Sequence, residues 1–210
     1  MRDEDIRQKL HAWLTGLHRT AGDTGIIHEL NLLRPSARAD LAVINGEFAG
    51  FEIKSDADSL RRLPRQISAF NGVFDRISLV TTDHHLIDAR KVVPPWWGII
   101  YLRRGEIDFY RRPDENPQVR ADSLLWLLRK SELIELLCAA NPGSAPESGR
   151  YASLANKAYN RINLQVIKDA VRTRLKHRCE EESHQAIPLD HRHSLRYWLP
   201  HSEPAYEGEC

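Results

Sequence analysis

Apolar residues recur at helical spacing at the start, middle and end of the chain, and between these stretches lie short runs bounded by turn residues. Ile6, Leu10, Trp13, Leu14 and Leu17 share one face of a predicted helix over 3–18, which Gly22–Gly25 ends. Three runs follow, Ile26–Leu33, Arg38–Ile44 and Phe48–Lys54, separated by Arg34-Pro35-Ser36 and Asn45-Gly46, and they read as a strand meander. Leu60, Leu63, Ile67, Phe70 and Phe74 form the stripe of a helix over 58–74, capped by Asp58 or Ser59, with a fresh start expected at Pro64. Ile77–Thr82 is the next strand, with His84-His85 placed in a loop after it. Trp97–Leu102 follows, then a hairpin through Arg103-Arg104-Gly105 into Ile107–Tyr110. Beyond Pro113 the pattern turns helical. Ser123–Cys138 is leucine-rich with a break near Ser131, Asn141–Gly149 is a linker, and Asn160–Arg178 repeats Leu164, Ile167, Val171 and Leu175. The expected fold is α/β, a mixed sheet with an αβββαβ order over residues 1–115, a helical extension over 116–178 and a tail over 179–210.

A length of 210 residues suits one well-buried domain with a smaller appendage. No apolar run approaches a membrane span, the acidic N-terminus lacks a signal core, and a cytoplasmic location is expected. Cys138, Cys179 and Cys210 are far apart and form no disulfide framework. The net charge of +1 hides an uneven distribution. From Arg150 to Arg178 there are eight Lys or Arg against Asp169 alone, and from Cys179 onward seven acids against Arg192 and Arg196. That layout suits a polyanion binder and equally a solvated helix face.

The chemistry concentrates in the second and third strands. Glu52 and Lys54, at i and i+2, share a face, while Ile53 points into the core. Asp40 joins them only if the hairpin pairs residues whose numbers have an even sum. A two-residue Asn45-Gly46 turn gives an odd sum, whereas a three-residue loop, Ile44-Asn45-Gly46 with Gly46 left-handed, gives an even one. The apolar pattern decides, because Leu41 and Val43 must face the core with Phe51 and Ile53. Two carboxylates and an ammonium group on one face suit phosphodiester cleavage with a hard cation. An ordinary Glu-x-Lys is more often a surface ion pair.

The stretches Arg38-Ala39-Asp40-Leu41-Ala42-Val43-Ile44-Asn45-Gly46 and Gly50-Phe51-Glu52-Ile53-Lys54-Ser55-Asp56 together resemble the PD-(D/E)XK nuclease superfamily. With Arg62-Leu63-Pro64-Arg65-Gln66 and Pro95-Trp96-Trp97-Gly98 they look like a bacterial branch with few characterised members. Ala39 stands where the superfamily's name has Pro, which removes no ligand. The resemblance covers roughly residues 25–100 and implies a restriction-endonuclease-like core. It assigns Asp40, Glu52 and the Ile53 carbonyl to Mg²⁺ or Mn²⁺, and Lys54 to the site of attack. Glu29 matches an additional acid of many relatives, or is a plain surface residue. Gln66-x-x-x-Phe70 resembles a Gln-x-x-x-Tyr motif, with Phe replacing the tyrosine. Gln66, Arg65 and Arg62 are candidate phosphate contacts, or a solvated helix face.

Arg161, Lys168, Arg172 and Lys176 line one face of the last helix and are candidate nucleic-acid contacts, unless these helices only cap the sheet. Trp96-Trp97 suits core packing better than base stacking. His184, His191, His193, His201 and Cys179 lack zinc-site spacing. The expected activity is metal-assisted hydrolysis of nucleic acid, DNA before RNA, by a chain that could pair as a homodimer. The alternatives are a non-catalytic binding module on the same fold and an adaptor working through its leucine-rich helices.

Overall fold

The computed structural model describes residues 1–18, 24–33, 37–143 and 147–185. Its elements run α1 (Asp3–Leu17), β1 (Gly25–Leu33), β2 (Ala37–Ile44), β3 (Phe48–Ile53), a 3₁₀ turn (Leu60–Arg62), α2 (Leu63–Asn71), β4 (Arg76–Thr82), α3 (Asp83–Val92), β5 (Gly98–Arg103) and β6 (Glu106–Arg111). Four helices follow, α4 (Ala121–Leu125), α5 (Lys130–Ala140), α6 (Tyr151–Arg161) and α7 (Leu164–Gln185). The strands form one mixed sheet in chain order, β1 to β6. β3–β4 and β4–β5 are parallel, joined by the crossovers that carry α2 and α3, and the other pairs are antiparallel.

Side-chain alternation sends the two halves of each strand into different cores. Leu41, Val43, Phe51, Ile53, Val80 and Ile100 pack under α1 with Ile6, Leu10 and Leu14. Ala42, Ile44, Phe48, Ile77, Leu79 and Ile99 pack on the other face with Phe70, Phe74 and Trp97, and α4 to α7 join that core through Leu124, Leu133, Leu154, Ile167, Val171 and Leu175. The C-terminal helices therefore build the second layer of the sandwich. Trp97 is fully buried and donates its indole N–H to the Asn71 side chain at 2.7 Å, the packing role expected of it.

The β2–β3 register is the even one. Leu41 pairs Phe51 and Val43 pairs Ala49, so the paired numbers sum to 92. The loop is Asn45-Gly46-Glu47, one residue later than expected, with Gly46 at φ 97° and Asn45 N–H bonded to Glu47 O at 3.1 Å. Gly50 is required for packing, since a Cβ there would lie 2.4 Å from the Phe74 ring.

The expected fresh start at Pro64 is present, with Ser59 capping the 3₁₀ turn through Arg61 N–H at 3.2 Å. Other boundaries differ. His84 and His85 lie in the first turn of α3, because the chain after Thr82 turns at once into the crossover. The break in the leucine-rich region falls at 126–129, before Ser131, and Glu132 reaches back to the Arg129 N–H at 2.6 Å to start α5. Helix α6 was not expected; Leu154 and Ala158 alone are buried in it, too few to stand out as a stripe. α7 starts at Leu164 and continues past Cys179 to Gln185. The Arg34-Pro35-Ser36 turn, Cys210, the side chain of His184, and the tail from 186, with its histidines, lie outside the described residues. Among the described residues no helix is long and apolar enough to cross a membrane.

Candidate active site

The β2–β3 ladder ends at the Leu41–Phe51 pair, and Asp40 and Glu52 are the next two facing positions. There the strands part. Asp40 Oδ2 takes the ladder's place by accepting the Ile53 N–H at 2.8 Å. In an extended strand the N–H and C=O of one residue point to the same side, so the Ile53 carbonyl also faces Asp40. The other oxygen, Oδ1, accepts from Arg7 of α1 at 3.0 Å, and the same guanidinium holds the Asp40 carbonyl at 2.9 Å.

Glu52 is only 2% exposed. Its Oε1 accepts from Lys54 Nζ at 2.5 Å and from Gln66 Nε2 of α2 at 2.6 Å. Its Oε2 is buried with no hydrogen-bond partner, and so is the Gln66 carbonyl oxygen. Burial pushes the Glu52 carboxyl up to about 7; Lys54 opposes this, and the charge of Asp40 adds to it. The influence of one carboxylate on the other follows from their shared corner. Lys54 is itself largely buried, and its backbone is anchored by N–H to Val80 O at 2.8 Å and by its carbonyl to Thr81 Oγ1 at 2.9 Å.

The expected cluster of Asp40, Glu52 and Lys54 is therefore assembled, and Gln66 belongs to it as a partner of Glu52 instead of an outward phosphate contact. Arg62 and Arg65 are exposed and make no ion pair among the described residues. Glu29 falls between the His28–Leu41 and Leu30–Ala39 pairs of the β1–β2 ladder without a partner of its own there; its backbone is left-handed at φ 56° and its carboxylate pairs with Arg38 at 2.9 Å. It does not complete a third acid, and among the described residues no three His, Cys, Asp or Glu side chains gather into a metal-binding set.

The basic face of α7 is largely an internal one. Lys168 Nζ and Arg172 Nη2 hold the buried Asp75 at 2.6 and 3.0 Å, and Asp75 also accepts the Phe48 N–H at 2.8 Å. Positions 168 and 172 flank the buried Ile167 and Val171, so helix geometry carries their charges inward. Arg161 is exposed but paired with Glu147 at 3.4 Å. Lys176 is half-buried and lies against Gly25. Lys168 and Arg172 thus dock the last helix and leave the set of nucleic-acid contacts. Arg7 and Asp75 went unnoticed in the sequence. Arg7 sits beside Ile6 on a helix whose register against the sheet cannot be read from one chain, and Asp75 is a lone acid before a strand.

Residues 1–196 match the family described as bacteriophage P4 protein cII. Protein cII of Enterobacteria phage P4 is 27% identical over 195 residues, covering 91% of this chain and 73% of its own length. Among solved structures, a protein of unknown function from Silicibacter pomeroyi superposes with a TM-score of 0.44 at 14% identity, covering 70% of this chain and 99% of the other. SfsA of Pyrococcus furiosus, determined in complex with Ca²⁺, gives a TM-score of 0.28 at 16% identity, covering 51% of this chain and 63% of its own. Likenesses this slight carry no chemistry. The match along nearly the whole sequence does carry membership: the chain belongs to the bacteriophage P4 protein cII family.

Proposed function

We propose that the chain is a metal-dependent nuclease that hydrolyses phosphodiester bonds of nucleic acid, DNA in the first place. The observation that carries this reading is the Glu52 carboxylate, buried beside Asp40, with one oxygen held by Lys54 and Gln66 and the other without a donor. A buried carboxylate oxygen left unsatisfied is costly, and a hard cation would satisfy it. The donor set fits Mg²⁺ or Mn²⁺: Asp40, Glu52 and the Ile53 carbonyl are all oxygens, and Mg²⁺ keeps several waters and needs one or two carboxylates. When bound, such an ion supplies Lewis acidity at the phosphate and lowers the pKa of water.

The chain's own residues supply the rest. Lys54 holds its ammonium group against Glu52 and opposes negative charge developing on the phosphate. Gln66 fixes the rotamer of Glu52, a positioning role. Arg7 fixes Asp40 through two bonds, so the corner is pre-formed. Arg62 and Arg65, without carboxylate partners among the described residues, are available to the flanking phosphates.

Purified protein with Mg²⁺ or Mn²⁺ should cleave plasmid or single-stranded DNA, and Asp40→Asn, Glu52→Gln and Lys54→Ala should each abolish cleavage while remaining folded. Absence of cleavage with either ion, together with absence of calorimetric Mn²⁺ binding, sinks the reading. One observation favours the alternative of a non-catalytic module on the same fold: Arg7 and Lys54 already pair with the two carboxylates without a metal ion. Calorimetry separates the two, since that module takes up no Mn²⁺.

A further inference from the structure

A groove of about 850 Å³ lies between the edge strand β1 and the α4–α5 turn. Its β1 wall is Ile27 and Glu29–Leu32, and the opposite wall carries Trp126, Arg129, Lys130 and Tyr151. The volume falls within the range of roughly 300–1,000 Å³ usual for ligand sites. Trp126 is 58% exposed although it is the largest kind of apolar side chain, and it lies stacked on Tyr151 with centroids 5.0 Å apart and planes at 26°. Tyr151 is held rigidly by its hydroxyl, which donates to the Leu125 carbonyl at 2.5 Å. The exposed indole therefore rests on an anchored ring.

The charges of the groove do not cancel. Glu29 is paired with Arg38. Arg178 is paired with Glu132, whose carboxylate also takes the Arg129 N–H. Lys130 and the Arg129 guanidinium are exposed and make no ion pair among the described residues. Two cations remain beside an open aromatic face. One strand, β1, separates the groove from Asp40, since Glu29 on its wall lies between the His28–Leu41 and Leu30–Ala39 pairs that flank Asp40 on β2, and neighbouring strands lie about 4.8 Å apart.

We propose that this groove binds a single strand of the nucleic acid, one base stacking on Trp126 and the backbone lying along Arg129 and Lys130, with the strand running on to the Asp40–Glu52 corner. The proposal rests on the nuclease reading for its substrate and narrows that substrate to unpaired strands. Aromatic platforms with a cationic track suit single strands, whose bases expose their faces; a duplex keeps them stacked. An added peptide strand is disfavoured, since Glu29 in a left-handed conformation interrupts the edge that such a strand would have to follow.

The test is anisotropy titration of a fluorescein-labelled oligothymidylate and of a duplex of equal length, in EDTA with the whole chain. The oligothymidylate should bind more tightly than the duplex. Trp126→Ala should weaken that binding roughly five- to hundred-fold, as loss of one stacked base implies, while Trp126→Phe retains most of it. Arg129→Gln with Lys130→Gln should reduce the salt slope by about 1.4, two released counterions on a single strand. Thermal melting of each variant confirms that it is folded. Preference for the duplex, no binding at all, or a Trp126→Ala variant that is folded and binds unchanged would each overturn the proposal. The two readings fail separately: metal-free binding through Trp126 without any cleavage removes the nuclease alone. Cleavage that is indifferent to Trp126 removes the groove alone.

Discussion

Replacing Glu52 by Gln should remove most of the pH dependence of stability that this site imposes. In the folded protein burial holds the Glu52 carboxyl near 7, against an ordinary value of 4.5. Folding therefore favours the protonated acid. Its stability contribution is complete below 4.5 and is lost as pH rises through about 7, where the folded chain must charge a buried group while the unfolded chain is already ionised. Between about pH 5 and pH 8 the loss from this one group integrates to about 2.5 kcal/mol. Gln copies the shape of the protonated acid and does not titrate. Urea unfolding followed by fluorescence at a series of pH values would give both stability curves, and their difference should grow by that amount toward alkaline pH. A divalent ion that uses Glu52 should reverse the sign: at pH 8 a Mn²⁺ concentration about ten times its dissociation constant should restore about 1.4 kcal/mol to the wild type and nothing to Glu52→Gln. Parallel curves for the two proteins across this range would refute the reasoning, because they would mean that Glu52 is solvated or fully compensated by Lys54.

Three further outcomes follow from the packing. Asp75→Ala should cost about 3–5 kcal/mol in urea unfolding, since it leaves Lys168 and Arg172 without their buried partner, whereas Arg161→Ala at the exposed end of α6 should shift stability by less than about 0.5 kcal/mol. Gly50→Ala should cost about 1–3 kcal/mol by overpacking, read as a lowered melting temperature, because the new methyl meets the Phe74 ring. Glu29→Gly should stabilise by about 1 kcal/mol in urea unfolding, as the left-handed backbone at that position no longer strains a side chain.

Much of the sandwich was legible because its strands announce themselves twice. Alternation gave Leu41 and Val43 the same side as Phe51 and Ile53, and that parity selected the even register before any turn geometry was needed. The loop's place was less certain than its parity: Asn45-Gly46-Glu47 and Ile44-Asn45-Gly46 both preserve the faces, and only the pairing of Ile44 with Phe48 tells them apart. Helix α6 escaped because it buries a leucine and an alanine against other helices and exposes Tyr159, leaving no periodic stripe. The trio of Asp40, Glu52 and Lys54 was visible as residue types at fixed spacing on neighbouring strands. Arg7 was not, since its contact with Asp40 spans 33 positions and depends on how α1 crosses the sheet.

The same difference explains why the basic run of α7 misled. A charge count over 150–178 sees cations in excess and cannot see that Asp75, nearly a hundred positions earlier, waits under the helix for two of them. Lys168 and Arg172 spend their charge on docking, and Arg178 does the same with Glu132. Among the exposed cations with no ion pair in the described residues are Arg62 and Arg65, at the start of the helix that supplies Gln66 to Glu52, and Arg129 and Lys130, which line the groove with Trp126. Net charge in a segment measures what must be neutralised somewhere. Only the fold decides whether a buried acid or an incoming phosphate does it, and here Asp75 and Glu132 take up three of the cations that the count would assign to the surface.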